Sequence, residues 1–524
     1  DDVMEVLELA MARVPCLTEI GIRTFFNGPE SYSHDGRFTL GEAPDVKNYF
    51  VLAGVNSTGI QSGSGAGKAV ADWIIAGHPT MDLSEMDPAR IETFQAQDLY
   101  LQERCPETLV LTYAMHWPGR QRETARGLRR TPFYHALKAK GAVYTEMQGW
   151  ERPSWFAPEG VAPVHDYAFG RPSWFEHAQT EQKSAREGVV MIDYSMLGKH
   201  MVEGKDAENF LQRVSTNDVS IADDRVIYSL MLNDRGGIEG DVTIARHDKT
   251  RFMVMSAISH TRRNRDHLQH AILANEDVII RDVTSAYAVL ALSGPLSRAV
   301  LETRVDISLS DKDFPPYSLQ QFFIGHAPVF AQRLSFTGEM GWEIFITPDF
   351  AEYVFEQLYQ AGQAYDLRLA GGEALNALRI EKGFVHWGSD MAYTESPHQI
   401  GLDFACRIDK DIAFTGRGPY LARKAEAKGP FLCSIKLQQP DAMLHHNEPV
   451  LRDGVIVGFV TSGAFSAMQG SAIALCLIKP PAGSSGGELL EKGDYSVLVE
   501  GRIIPAILQR KPFARSPTTL PERG

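Results

Sequence analysis

The sequence of 524 residues predicts an α+β protein that ends in a small β-barrel. Between about residues 184 and 424, strand-like runs such as VIYSLMLN are interspersed with helical runs such as AENFLQRVS, without the regular spacing of βαβ units. Beyond residue 429 the pattern is almost wholly extended, with five short strand-like runs divided by glycine and proline. Such a run of short strands is typical of a barrel or sandwich of about 90 residues.

The overall charge and the cysteines exclude several classes of function. Lys+Arg 52 against Asp+Glu 66 gives a net charge of −14, which repels phosphate backbones, so we expect no nucleic-acid partner. No apolar run approaches the roughly 20 residues needed to cross a bilayer, so no membrane partner is expected. The five cysteines form no C-x-x-C and the histidines no H-x-x-x-H, which predicts no metal site and a reducing compartment. The cytoplasm fits, as does the mitochondrial matrix in a eukaryote.

The N-terminal region has the order strand, glycine-rich loop and helix. A short apolar run at 48–53 precedes GVNSTGIQSGSGAG, and KAVADWIIAG follows with helical spacing. This order brings backbone N–H groups to a helix N-terminus, where a phosphate or another anionic cofactor group can bind. Ser62, Lys68 and Ala69 depart from the P-loop and dinucleotide-binding patterns. A glycine-rich turn needed only for tight packing remains an alternative.

Asp241 is the first candidate for chemistry. The segment MLNDRGGIEGDVTI reads as a hairpin whose glycines form the turn and whose second strand resumes at Asp241. Alternation along the strand then directs Asp241 and Thr243 to one face and Val242 and Ile244 to the other. A partly buried carboxylate in this position either pairs with a cation or has a catalytic role. An ordinary turn-flanking aspartate is the alternative.

Two further segments carry polar residues in apolar surroundings. In RLSFTGEMGWEIFI, Glu343 lies two residues into a strand, where it needs hydrogen-bond donors. A heteroaromatic ligand with adjacent ring N–H and amino groups would satisfy both carboxylate oxygens, and an ion pair with Arg333 is the alternative. EALNALRIEKGFVHWGSDM predicts a helix closed by Gly383, with Arg379 in need of a partner and Trp387 as a candidate aromatic wall.

Taken together, these motifs resemble one family. YSLMLNDRGGIEGD, LSFTGEMGWEI, RIEKGFVHWGSDM and IGLDF resemble the folate-binding domain of dimethylglycine and sarcosine dehydrogenases, which is itself similar to the glycine-cleavage aminomethyltransferase, or T-protein. GPESYSHDGRFTLGEAP and NYFVLAGVNSTGIQSGSGAGKAVADWI resemble the last part of the FAD-dependent amine-oxidoreductase domain of those enzymes. RRTPFYHALKAKGAVYTEMQGWERPSWF resembles their central linker domain, and the β-rich end resembles their C-terminal barrel.

The resemblance implies four domains and a set of site residues. The domains are an FAD-domain remnant at 1–85, a linker domain at 86–150, a folate-binding α+β domain at 151–425 and a barrel at 429–515. Asp241 would be the catalytic acid, and the folate site would include Tyr228, Glu343, Arg379 and Trp387. The loop that closes over the flavin would include Gly54, Asn56, Gly59 and Ile60. SPHQIGL departs from the family's P-x-E-A-G-L at His398 and Gln399.

The resemblance also implies an activity and its cofactors. The whole protein would oxidise an N-methyl amine such as dimethylglycine or sarcosine with FAD, while tetrahydrofolate captures the one-carbon unit and an electron-transfer flavoprotein or oxygen accepts the electrons. The G-x-G-x-x-G segment that binds the ADP part of FAD would precede Asp1, so this chain alone is expected to lack dehydrogenase activity. A non-catalytic relative, such as the pyruvate dehydrogenase phosphatase regulatory subunit, and a flavin-independent folate demethylase are the alternatives.

Overall fold

The computed structural model describes residues 2–26, 28–481, 490 and 492–514. Residues 1 and 515, at the ends of the predicted domains, and 482–489 and 491 within the predicted barrel lie outside the described residues. None of the helices in the described residues combines the length and the apolar character that a membrane span requires.

Within the described residues, the N-terminal part contains three α-helices and a two-stranded antiparallel sheet, β1 with β2. Its elements are α1 (Asp2–Arg13), β1 (Thr39–Glu42), β2 (Phe50–Ala53), α2 (Gly59–Ala76) and α3 (Asp98–Tyr113).

The glycine-rich stretch at 59–67 is helical, so its prediction as a loop was wrong. It forms the first half of α2, and Ala66 and Ala69 on that helix are buried in a core cluster together with Leu40 of β1. A Cβ placed at Gly63 or Gly65 would meet no atom within 4 Å, so these glycines lie on an open face. The helix forms because burial of its other face outweighs the low helix propensity of glycine.

The middle of the chain is an α+β domain, as the sequence predicts. Its elements in chain order are α4 (Tyr134–Lys138), β3 (Ala142–Met147), β4 (Trp150–Phe156), α5 (Phe175–Glu187), β5 (Val190–Asp193), β6 (Gly198–Glu203), α6 (Ala207–Val214), β7 (Arg225–Leu232), β8 (Ile238–Asp248), β9 (Arg251–Ser256), α7 (Thr261–His270), β10 (Ile279–Asp282), β11 (Ala288–Ser293), α8 (Ser297–Glu302), β12 (Leu319–Ile324), β13 (Ala327–Gln332), β14 (Gly341–Ile346), α9 (Pro348–Gly362), β15 (Arg368–Leu369), α10 (Gly372–Glu381), α11 (Pro397–Ile400) and α12 (Arg417–Glu426).

The strands of this domain form two larger sheets packed together and a separate two-stranded antiparallel sheet, β3 with β4. The two larger sheets are the inner layers. One sheet has the strand order β10-β6-β9-β8-β7, and the other has the order β12-β13-β14-β11-β5-β15 with only the β15–β5 pair parallel. Alternate residues of β11 belong to different cores: Leu290 and Leu292 pack outward toward α8 and α9, whereas Val289 and Ala291 pack inward between the sheets. Helices α6 and α7 cover the outer face of the five-stranded sheet. The domain therefore has four layers, with one core between the sheets.

The C-terminal part is a closed barrel with six strands in the described residues, whereas the sequence predicted five. The strands are β16 (Phe431–Leu437), β17 (Pro449–Arg452), β18 (Val455–Ser466), β19 (Ser471–Ile478), β20 (Tyr495–Val499) and β21 (Arg502–Gln509). The extra strand arises because the run from 449 to 466 bends at Asp453 and Gly454, both with positive φ, and divides into the β17–β18 hairpin.

One core cluster joins the three parts of the molecule. It contains Leu40 from the N-terminal part, Ile238 and Trp387 from the two-sheet domain, and Leu432 and Ile473 from the barrel. This cluster fixes the end of α10 and the segment that follows it, which is where the site lies.

Candidate functional site

A cavity of about 730 Å³ lies between the two sheets and is closed by α10, by residues 383–389 and by Lys511 and Pro512 after the barrel. Its volume falls within the roughly 300–1,000 Å³ that is usual for small-molecule sites. Six aromatic side chains and four carboxylates are among its lining residues: Tyr194, Tyr228, Tyr317, Phe336, Phe384, Phe404, Asp193, Asp241, Glu343 and Glu373.

Asp241 and Tyr228 meet in the wall of this cavity. Asp241 lies on β8 opposite Leu230 of β7, and the Tyr228 hydroxyl donates a hydrogen bond of 3.3 Å to its Oδ2 atom. Burial raises the pKa of Asp241 to about 6, and the hydrogen bond from Tyr228 opposes this rise. At neutral pH the carboxyl is therefore mostly ionised and close to the pKa that suits a proton acceptor.

The alternation predicted for the Asp241 strand is present, although the strand resumes at Ile238 rather than at Asp241. Thr243 lines the cavity together with Asp241, and Ile244 packs in the core under α6 and α7. Gly237 in the turn of this hairpin lies against the chain at Tyr393, where an added Cβ would collide with the carbonyl oxygen.

Glu343 is a buried carboxyl on β14 that faces the same cavity. It is 5% exposed, and no hydrogen bond or ion pair from the described residues reaches its carboxyl group. Arg333, the alternative partner considered from the sequence, pairs with Asp311 instead at 2.6 Å. Burial raises the pKa of Glu343 to about 8, against the attraction of the Lys199 charge. The carboxyl is therefore mostly protonated at neutral pH until a ligand supplies donors.

Sequence reasoning missed Lys199 and Tyr194, which lie close to Glu343. Lys199 on β6 is fully buried, donates hydrogen bonds of 2.8 Å to the carbonyl oxygens of Ser195 and Leu197, and has a pKa lowered to about 7 by burial. The Tyr194 hydroxyl is buried and has no hydrogen-bond partner in the part of the chain that the structure describes. No apolar pattern in GKHMVE marks Lys199 as buried, so the sequence offered no clear signal for it.

Arg379 lines the cavity but is held by the protein itself. Its Nη1 atom donates to Asp390 at 2.5 Å and to the Phe384 carbonyl at 3.0 Å, and its Nε atom donates to Asn376 at 3.0 Å. Asp390 is fully buried and also accepts a hydrogen bond from Thr461 of the barrel. The Arg379 charge is thus balanced, and the side chain ties α10 to the segment behind the cavity.

Trp387 is a core residue and does not line the cavity. It is 1% exposed, its indole N–H donates to the Ile238 carbonyl at 2.8 Å, and Arg263 lies 4.3 Å above its ring. The aromatic wall is formed instead by Phe384 and by the Tyr228–Phe404 pair, whose ring centroids are 6.2 Å apart.

Replacement of Trp387 by alanine should therefore lower the free energy of unfolding by about 3–5 kcal/mol, because it opens a cavity where three parts of the molecule meet. Urea unfolding followed by far-UV circular dichroism would measure this. Phe26→Ala, at an 88% exposed position, is the control and should change the free energy by less than about 0.5 kcal/mol. An equally small loss for Trp387→Ala would show that this position is not structural.

The four residues predicted to contact a flavin lie away from the cavity, in the N-terminal part. Asn56 is buried, accepts a hydrogen bond from the Ser33 N–H at 2.8 Å and donates to the Gly54 carbonyl at 2.5 Å, which fixes the loop before α2. Gly59 begins α2, and the Ile60 side chain is fully exposed. Ile60 alone among these four has an exposed side chain, and none of the four lines the cavity between the two sheets.

Three family models match parts of this chain. The family model "GCVT N-terminal domain" matches residues 133–410, more than half of the chain. The chain belongs to the glycine cleavage T-protein family. The two-sheet domain described above is its T-protein domain, and the family's C-terminal barrel model matches residues 431–514. A further model, the FAD dependent oxidoreductase central domain, matches residues 76–131.

The resemblance to sarcosine and dimethylglycine dehydrogenases is also confirmed. The chain is 37% identical to the 4-methylaminobutanoate oxidase (formaldehyde-forming) of Paenarthrobacter nicotinovorans over 95% of its length and 60% of that protein. It is 31% identical to the mouse mitochondrial pyruvate dehydrogenase phosphatase regulatory subunit, covering 95% of the chain and 58% of the relative. Human mitochondrial sarcosine dehydrogenase is 30% identical, and the match covers 94% of the chain and 58% of that relative. The chain thus spans about three fifths of the length of these relatives.

A solved structure supports the fold of the T-protein domain and barrel. The crystal structure of glycine cleavage system aminomethyltransferase T from Bartonella henselae matches with a TM-score of 0.62 at 21% identity, covering 74% of this chain and 99% of that one. At this identity the match establishes the architecture, and the chemistry of the site has to be argued from its residues.

Proposed function

We propose that this chain is the folate-binding, one-carbon-capturing part of an FAD-dependent enzyme that demethylates an N-methyl amino acid such as dimethylglycine or sarcosine. The observation that carries the proposal is one cavity in a T-protein domain that holds two features: the buried carboxyl of Glu343, which has no hydrogen-bond or ion-pair partner among the described residues, and the hydrogen-bonded Asp241–Tyr228 pair. Three relatives support it by the names they carry: 4-methylaminobutanoate oxidase, sarcosine dehydrogenase and dimethylglycine dehydrogenase.

The residues of the cavity fit a reduced folate. A pterin ring presents a ring N–H beside an amino group, which are the two parallel donors that a buried carboxylate such as Glu343 needs. Its flat ring suits the aromatic walls formed by Tyr228, Phe384 and Phe404. Glu343 gains its partners and ionises when such a ligand binds, and the Lys199 charge favours the ionised form.

The chemistry assigned to the chain's own residues is proton transfer and enclosure. Tetrahydrofolate supplies the nucleophilic amine that takes up the one-carbon unit. Asp241, ionised at neutral pH, would accept the proton that the amine nitrogen loses, and Tyr228 would keep the Asp241 carboxylate oriented toward it. The walls of the cavity would exclude water, which otherwise hydrolyses a reactive one-carbon species.

FAD would belong to the whole protein. Gly54, Asn56, Gly59 and Ile60 are proposed to face the flavin, with the loop held by Asn56 and the Ile60 side chain exposed toward it. The domain boundaries at 85, 150 and 425, a methylated amine as substrate, an electron-transfer flavoprotein or oxygen as acceptor, and a cytoplasmic or mitochondrial-matrix location are parts of the same proposal.

A regulatory protein without catalysis is the second candidate, because the mouse phosphatase regulatory subunit matches the chain over the same length. Retention of Tyr228, Asp241 and Glu343 in one cavity favours the catalytic alternative.

The rate of methylene-tetrahydrofolate formation separates the two. Formaldehyde and tetrahydrofolate condense to methylene-tetrahydrofolate and water, so no oxidant is needed and the chain can be assayed as it stands. We expect this chain to raise the rate at least tenfold above that in buffer at pH 7.5, read by absorbance in stopped flow. A rate equal to that in buffer, from folded protein, would favour the regulatory alternative.

A further inference from the structure

Most of the cationic side chains around the cavity are already paired with carboxylates, which leaves few partners for an anionic ligand. Five cationic side chains line the cavity: Arg152, Arg333, Arg379, Lys382 and Lys511. Three of these are already paired with carboxylates, Arg333 with Asp311 at 2.6 Å, Arg379 with Asp390 at 2.5 Å and Lys382 with Glu339 at 3.0 Å. Because the chain also has a net charge of −14, an anion in the cavity depends on a cation that is not yet balanced.

Arg152 is such a cation, and it lies in the wall rather than at the surface. It is the third residue of β4, and its Nε atom is sealed from solvent without a hydrogen-bond partner. No carboxylate of the described residues lies within ion-pair distance of its guanidinium. The nearest acid is Glu373, which instead accepts a hydrogen bond of 3.0 Å from the Ser154 hydroxyl.

Burial acts differently on these two neighbours. It raises the pKa of Glu373, which favours the neutral acid, with the Ser154 hydrogen bond in opposition. It also lowers the pKa of Arg152, but an arginine begins so far above neutral pH that the guanidinium keeps its charge. No carboxylate of the described residues pairs with Arg152, so its positive charge is available to a ligand in the cavity.

The first turn of α10 adds to this positive potential. A Cβ placed on Gly372 would lie 3.0 Å from the Arg152 Nη2 atom, so the guanidinium rests directly on the start of the helix. The N-cap residue is Gly371, and no side chain caps the helix. The N-terminal end of a helix attracts anions through its dipole and its unpaired N–H groups, and here a partnerless arginine lies beside it.

We propose that Arg152, together with the first turn of α10, binds a carboxylate group of the ligand in this cavity. The planar guanidinium matches a carboxylate with two parallel hydrogen bonds, which a lysine cannot supply. The inference rests on the proposed function, where two sources offer this chemistry: the glutamyl tail of tetrahydrofolate and the carboxylate of the methylated amino acid. Arg379, whose charge Asp390 already balances, is therefore not the group that binds this carboxylate.

The test compares ligands with and without the tail carboxylates. Tetrahydrofolate, tetrahydropteroate, which lacks the glutamyl group, and N,N-dimethylglycine are each titrated by calorimetry into the wild-type chain, Arg152→Met and Arg152→Lys. We expect the wild-type chain to bind tetrahydrofolate at least tenfold more tightly than tetrahydropteroate. Arg152→Met should abolish that difference and leave tetrahydropteroate affinity within twofold of wild type, and Arg152→Lys should be intermediate. Lys205→Gln, a 74% exposed lysine, should change none of these affinities.

The results with the three ligands distinguish the two sources of the carboxylate. They also distinguish failure of this inference from failure of the proposed function. Loss of dimethylglycine binding alone in Arg152→Met would support the carboxylate site and identify the amino acid as its ligand. Equal losses for tetrahydrofolate and tetrahydropteroate, or no loss for any ligand, would overturn the inference while the folate proposal stands. If Arg152→Met does not fold, the inference is tested on the other two chains. It is overturned if the wild-type chain binds tetrahydrofolate and tetrahydropteroate equally well and Arg152→Lys binds dimethylglycine as the wild type does. Absence of saturable tetrahydrofolate binding by the wild-type chain would instead refute the proposed function.

Discussion

Asp241→Asn should lower the rate of methylene-tetrahydrofolate formation at least tenfold, to about the rate in buffer, because the amide keeps the size of the side chain but cannot accept a proton. The Tyr228 hydroxyl can still donate to the amide oxygen, so the affinity for tetrahydrofolate should stay within about threefold of wild type. Stopped-flow rates and calorimetric affinities, measured on the same preparation, give the two quantities.

Asp234→Asn is the matched control for this variant. Asp234 lies in the same hairpin but is exposed, so its replacement should leave both the rate and the affinity unchanged. An unchanged rate for Asp241→Asn would remove Asp241 from the mechanism, and an equal fall in rate and affinity would make it a binding residue only.

Glu343→Gln should weaken tetrahydrofolate binding by about 10–100-fold, because a carboxamide offers one acceptor where the pterin presents two donors. The free carboxyl, with its pKa raised by burial to about 8, must lose its proton when the ligand binds. Wild-type affinity should therefore rise from pH 6 to pH 8 and level off above, since protons compete with the ligand below that pKa.

The pKa values of Asp241 and Lys199 also lie near pH 6–8, so the Glu343→Gln variant is needed to assign the pH dependence of the affinity to Glu343. In Glu343→Gln the rise in affinity between pH 7 and pH 8 should disappear, whereas the exposed Glu352→Gln on α9 should retain it. A Glu343→Gln chain with wild-type affinity and the same pH dependence would show that Glu343 does not contact the ligand.

Local patterns in the sequence predicted much of the fold and part of the cavity. Alternation predicted that Asp241 and Thr243 share a face, and the apolar setting of Glu343 predicted a buried carboxyl, because both properties depend on neighbours in the chain. The α+β class followed from the irregular succession of strands and helices. The resemblance to the dehydrogenases added the order of the domains.

What could not be predicted depends on contacts between distant residues. Trp387 looked like a ring of the site, but its indole binds the carbonyl of Ile238, 149 positions earlier. Arg379 looked like an available cation, but Asp390 neutralises it. Arg152 was not predicted as a site residue, because nothing in its neighbours along the chain shows that the guanidinium would rest on α10 without a partner among the described residues.

A calorimetric titration of the folded wild-type chain with tetrahydrofolate tests the account most directly. We expect saturable binding of one tetrahydrofolate per chain, with release of a proton at pH 7 seen as heat that varies with the ionisation enthalpy of the buffer. Absence of saturable heat up to millimolar tetrahydrofolate, from protein with a cooperative unfolding transition, would contradict the assignment of this cavity.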